Sequence, residues 1–284
     1  MTFPELLLLL FGGFGAGLIG SIFGLGGGIL IVPLLAIVLR VPMHQAVATS
    51  LLCVIATSSA AASRNVRRGV ANVRLGMTLE IATVIGAMIG GAVAGNISAN
   101  MLMMIFGCAM ILMSIPMARG VADEPEEIAT ADELVEETFT DSLNGSYFDA
   151  AEQSVVTYRV RRLPLALSIS SIAGLLSGLL GVGGGIIKVP ALTLLCDVPM
   201  KAAAATSNFM IGVTAVASAV IYYGRGDVSP LISAASVLGV FAGSRTGSVL
   251  AGRIKSASLR KGFSMVMVVI AIQLILKANG IFYR

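Results

Sequence analysis

Apolar residues run along this chain in ten stretches. The first five fall at about 5–22, 27–39, 44–63, 72–94 and 99–118. After a polar gap they recur at about 163–180, 184–196, 200–223, 229–251 and 260–278. A helix needs about 20 apolar residues to cross a bilayer. The second stretch of each set has only about 13 and is too short to cross alone. It predicts one arm of a re-entrant hairpin, or half of a broken, tilted crossing. Backbone of that kind at membrane depth must be buried in protein or line a cavity.

The two sets are copies. GLGGGILIVPLLAIVLRVPMHQAVATS (Gly24 to Ser50) aligns without a gap on GVGGGIIKVPALTLLCDVPMKAAAATS (Gly181 to Ser207), 157 residues later, with 15 of 27 positions identical. At the same offset Arg68-Gly69 matches Arg225-Gly226, and Gly86, Gly90 and Gly95 match Gly243, Gly247 and Gly252. Paired glycine breaks in corresponding membrane helices point to a transporter's substrate site.

Composition sets the class. The chain has 284 residues, 56% hydrophobic and 12% charged, with a mean hydropathy of +0.93. Soluble domains carry roughly 25% charged residues, so this is an integral membrane protein. The first stretch lacks the basic leader of a cleaved signal, having Glu5 and no Lys or Arg before Arg40, and reads as a retained helix. Cys53, Cys108 and Cys196 lie far apart in apolar stretches and form no metal or redox pattern. They read as small packing residues. The 33 glycines, with runs such as Gly86–Gly90, Gly91–Gly95 and Gly243–Gly247, suit close helix packing. Such faces would serve folding or a homodimer equally well.

The net charge of +4 does not indicate nucleic acid, because the basic residues sit between apolar stretches, where topology accounts for them. Arg64, Arg67, Arg68 and Arg74 follow the third stretch of the first set, whereas Asn96 to Asn100 carries no charge. The second set reverses this: Arg225 and Asp227 follow its third stretch, and Arg253, Lys255, Arg260 and Lys261 its fourth. Cytoplasmic loops carry the basic excess. The expected fold is therefore an all-α polytopic membrane protein of two inverted-topology repeats. Each has a glycine-broken helix or re-entrant hairpin plus about three full spans. Residues 1–118 form the first repeat, 119–162 a cytoplasmic connector and 163–284 the second repeat, with both termini outside. The acidic connector reads as a tether, with a short amphipathic helix near Ile128–Phe139.

The glycine clusters are the first candidates for chemistry. Gly24, Gly26, Gly27, Gly28 and Gly181, Gly183, Gly184, Gly185 stand where the short helices begin. A helix N-terminus offers unpaired N–H groups and a partial positive charge, and binds anions without a charged side chain. Tight turns and close helix contact are the plainer account, and the duplication at matched positions favours a site. A nucleotide-binding reading of GLGGG fails, because its flanks are membrane helices and no GK[ST] follows.

Thr49-Ser50 and Thr206-Ser207-Asn208 follow the Val-Pro-Met turns by six residues. They would donate hydrogen bonds to an oxyanion, or only pack between helices. Lys188 replaces the first copy's Ile31 and would put a positive charge near one pocket, unless it snorkels to an interface. Arg245 would contact substrate or pair with Glu80. His44, the only histidine, would titrate near neutral pH and couple protons, although a polar residue at the membrane surface is the favoured account. No carboxylate pair, His/Cys cluster or Ser/His/Asp set stands out, so an enzyme is not expected, nor a cofactor or metal.

The doubled GxGGG…VP segments with their later Thr-Ser resemble the TauE/SafE family of membrane transporters. The resemblance covers both halves, leaving out the connector at 119–162. It implies transport of a small anion, sulfite or an organosulfonate, across the plasma membrane. The residues above then suggest a secondary transporter working by alternating access. Gly26, Gly27, Gly28, Gly183, Gly184 and Gly185 would hold the anion, with Thr49, Ser50, Lys188, Thr206, Ser207 and Asn208 completing the shell. A passive anion channel with the same site is the alternative.

Overall fold

The computed structural model describes residues 3–22, 26–119, 143–149, 154–250 and 256–279. Gly24, the segment 128–139, Arg253 and Lys255 lie outside them.

Helices form wherever the sequence runs apolar. They are α1 (Phe3–Ile22), α2 (Gly28–Pro33), α3 (Met43–Arg67), α4 (Val73–Ala94) and α5 (Ala99–Arg119), then α6 (Leu163–Leu180), α7 (Gly185–Cys196), α8 (Met200–Gly224), α9 (Pro230–Leu250) and α10 (Ser256–Ala278). Among the described residues α1, α3, α4, α6 and α8 are long and apolar enough to cross a membrane. Large apolar side chains such as Ile81, Ile85, Phe241 and Leu238 stand exposed on α4 and α9. An apolar surface of that kind suits contact with lipid. The protein is an all-α membrane protein apart from one small hairpin.

The short stretches turn back. α2 runs on through a π-helical turn, Leu34–Val38, entered at Pro33; proline lacks the N–H and displaces the carbonyl one turn before it. Gly12 of α1 faces Leu34, and Gly20 faces Gly27, so α2 retraces α1. Gly184 likewise meets the carbonyl of Ala173, and α7 retraces α6. Eleven residues span roughly 16 Å, about half of a 30 Å hydrocarbon core.

Packing exchanges the two halves. α1 packs on α9 and α4 on α6, while α3 packs on α8 and α5 on α10. Glycines make the first two contacts close: a Cβ on Gly243 would meet the carbonyl of Phe14, and one on Gly86 that of Ser171, residues 157 apart. Cys53 and Cys196 are buried as packing residues, whereas Cys108 is exposed on the outer side of α5, which corrects the reading of all three as packing groups.

The connector is more than a tether. β1 (Gly145–Asp149) and β2 (Ser154–Tyr158) form an antiparallel hairpin. Its Tyr147, Val156 and Tyr158 join Leu75, Leu79, Val189 and Leu192 in one apolar cluster. Asn72 ties it down, capping α4 through Leu75 N (3.0 Å) and donating to Leu143 O (2.7 Å). Burial pushes the Tyr158 phenol above its usual range, against the Asn72 hydrogen bond.

Candidate functional site at the paired helix breaks

Each break is built by glycines in the left-handed region. Gly26 and Gly27 have φ of 73° and 69°, Gly183 and Gly184 of 78° and 75°. That conformation is costly for other residues. It lets the chain reverse and start a new helix within a few residues. Both breaks point at the same place. Gly26 and Gly183 each lie against the side chains of Val54 and Ile211, which are themselves 157 apart. Gly28 faces the carbonyl of Gly181 and the hydroxyl of Ser50. The two tips therefore meet back to back where α3 crosses α8.

The hydroxyls lock these tips. Ser50 Oγ donates to Gly181 O (2.7 Å), with Gly28 O at 3.2 Å. Thr57 Oγ1 reaches Gly26 O at 2.8 Å, and Ser58 Oγ donates to Asn208 O at 2.6 Å. Thr49 pairs with Ser233 (3.2 Å). Thr206 Oγ1 accepts from Asn72 N (2.9 Å). Ser207, the copy of Ser50, is fully buried and its hydroxyl has no hydrogen-bond partner.

A buried ion pair stands one turn from the tips. Lys188, on α7, places Nζ 3.4 Å from Glu80 Oε2, with side-chain exposures of 1% and 8%. Lys188 also donates to Thr214 Oγ1 (2.9 Å), and Thr214 donates to Glu80 Oε1 (2.5 Å). Ile211, between the tips, lies one turn before Thr214 on α8.

The family model for "Sulfite exporter TauE/SafE" matches residues 9–274. The chain belongs to the TauE/SafE family. It is similar to the probable membrane transporter protein YunE of Bacillus subtilis, 31% identical over 99% of this chain and 100% of that one. A probable membrane transporter protein of Xylella fastidiosa is 26% identical over 97% of both chains. One of Methanocaldococcus jannaschii is 27% identical over 95% of both. No solved structure matches. The TauE/SafE family and these relatives are membrane transporters, not enzymes, and the chain is a multi-pass membrane transporter.

One expected contact of this TauE/SafE protein is placed differently. Arg245 does not pair with Glu80, because α9 packs on α1 and α3 while α4 packs on α6 and α8; Arg245 is exposed on α9. Lys188 is the partner instead and does not snorkel to an interface. His44 Nε2 lies 3.1 Å from both Ala94 O and Ile97 O, where it closes the carboxyl end of α4.

Thr57 and Thr214, absent from the candidate residues, are related by the same offset of 157, so extending the alignment past Ser50 would have found them. A pocket beside the tips is lined by Ile29, Phe106, Met110, Ser177 and Ile187, and the Ser177 hydroxyl is also unpartnered. Among the described residues no three His, Cys, Asp or Glu side chains gather as metal ligands.

Proposed function

We propose that the chain is a secondary transporter that moves a small sulfur oxyanion, sulfite or an organosulfonate, by alternating access. The observation that carries this reading is the convergence of both glycine breaks on Val54 and Ile211. Two half-helix starts brought together concentrate amide N–H groups and positive dipole ends at one point, a setting that suits an oxyanion. The family's description as sulfite exporters supports the cargo.

Residues 1–118 and 163–284 act as inverted repeats in this reading, joined by the connector at 119–162. The exchanged packing of α1 on α9 and α4 on α6 supports it. Rocking one repeat against the other would open the tips to each side in turn. Arg64, Arg67, Arg68 and Arg74 share the end of the bundle that carries the hairpin and Arg159, Arg161 and Arg162. By the positive-inside rule that end is cytoplasmic and both termini are outside. A homodimer would use the exposed apolar helix faces.

The test is exchange of radiolabelled sulfite in proteoliposomes, with sulfate, thiosulfate and sulfoacetate as competitors. A carrier predicts saturable uptake that unlabelled sulfite inside accelerates. A passive channel predicts conductive flux without that acceleration. No uptake of any sulfur anion would cancel the substrate class.

A further inference from the structure

The Lys188–Glu80–Thr214 cluster, which joins α4 of the first half to α7 and α8 of the second, has no charged copy. At the offset of 157, Lys188 corresponds to Ile31, Glu80 to Val237 and Thr214 to Thr57. Ile31 and Val237 belong to one apolar cluster, and Thr57 reaches the Gly26 carbonyl instead of a carboxylate. The same packing problem is thus solved in this chain without charge. A buried ion pair is weak evidence for stability, since apolar replacements often serve as well, and ionisable residues inside a membrane protein mark function by default.

The geometry of the pair is loose. A lysine ammonium has three donors, and Lys188 spends two, on Thr214 and on Glu80 at 3.4 Å. Thr214 holds the carboxylate more tightly, at 2.5 Å. The ammonium therefore has a donor to offer and a carboxylate that another anion can replace. Lys188 is on the first turn of α7, its N–H bonded to Gly184 O (3.1 Å), so the charge is anchored to the glycine tip itself.

We propose that Lys188 is the electrostatic anchor of the transported anion, and that Glu80 is its resident counter-ion, yielding the lysine and taking up a proton as the anion enters. This rests on the anion-transporter reading above. The balance is one for one. Lys188⁺ with Glu80⁻ is neutral, and Lys188⁺ with a monoanion and protonated Glu80 is neutral too. One proton therefore travels with each anion, and the moving site carries no net charge. Few other groups interfere. α6, packed on both α4 and α7, has no titratable residue, and those of α8 are Lys201, Tyr222 and Tyr223, all near its ends. On α4 itself the other is Arg74, in the first turn. The hairpin contributes Tyr147 and Tyr158 to the cluster holding Leu79 and Val189.

The test uses the full chain in proteoliposomes, with sulfite and with methanesulfonate, a strong-acid anion whose charge does not follow pH over the working range. Wild type should accumulate the anion on an inward proton gradient and ignore an imposed membrane potential. Glu80→Gln should still exchange anion at equal pH, lose accumulation on the proton gradient by roughly tenfold or more, and respond to potential. Lys188→Met should raise the half-saturating concentration roughly tenfold or more, as expected for losing a charge-assisted bond. The double variant Glu80→Val/Lys188→Ile copies the counterpart residues Val237 and Ile31, so it should melt no lower than wild type, need the anion at a similarly raised concentration of roughly tenfold or more, and show no proton-driven accumulation. Proton-driven accumulation at the wild-type level in Glu80→Gln or in the double variant, or an unchanged half-saturating concentration in Lys188→Met, overturns the proposal alone. Absence of exchange of either anion by wild type removes the anion reading and this inference with it.

Discussion

The hydroxyl of Ser50 in the first half lies 2.7 Å from the carbonyl of Gly181 in the second. This is a bond between halves: the side chain of one repeat satisfies the broken backbone of the other. Ser50 is fully buried, and a buried carbonyl left without a donor costs about 1–3 kcal/mol. Ser50→Ala should lower stability by about 1 kcal/mol, read as a lower melting temperature in detergent. An unchanged melt would mean the Gly181 carbonyl finds another donor.

The close helix contacts make a second prediction. Gly90 faces the carbonyl of Leu175, and Gly247 that of Leu18. Gly90→Val or Gly247→Val should abolish recovery of folded protein, because backbone cannot give way as a side-chain end can. Gly15 has nothing within 4 Å of where its Cβ would sit. Gly15→Ala should be neutral or stabilising by up to about 1 kcal/mol, since alanine is the better helix former. Size-exclusion profiles of the three variants separate the cases.

How far these features were legible in the sequence depends on distance along the chain. The helices and breaks followed from apolar run length and from glycine. The matched positions of the tips followed from the offset between Gly26 and Gly183. The partner of Glu80 did not follow, because nothing local says that α4 packs across onto the other half, where Lys188 waits. Nor did the roles of Ser50 and Thr57, whose hydroxyls face carbonyls far away in sequence. The hairpin was hidden by its mixed polar surroundings, although Val156 and Tyr158 alternate with polar residues in the period of a half-buried strand.

Asn72 links that hairpin to the membrane helices. It caps α4 and holds Leu143, and its backbone N–H donates to Thr206. Asn72→Ala should cost about 1 kcal/mol through the lost cap. It should also speed protease cleavage within the connector, which gel analysis of a digestion time course would show. Cleavage at the wild-type rate would mean that the apolar cluster alone secures the hairpin.

His44 closes the end of α4 through Nε2. A cap needs an N–H donor and not a titrating ring. His44→Gln should therefore keep proton-driven uptake within about twofold of wild type, whereas His44→Leu should lower the melting temperature. Loss of proton coupling in His44→Gln would return His44 to the mechanism.

The paired tips hold the anion in the proposed function, and Ser207 is the residue that tests this best. Its hydroxyl is buried without a partner, so Ser207→Ala removes no bond from the resting fold and should leave the melting temperature level or higher. The measurement is the half-saturating sulfite concentration for exchange in proteoliposomes, wild type beside Ser207→Ala. A rise of several-fold, up to about tenfold, at undiminished stability is the predicted result. An unchanged half-saturating concentration would contradict a ligand shell at the tips.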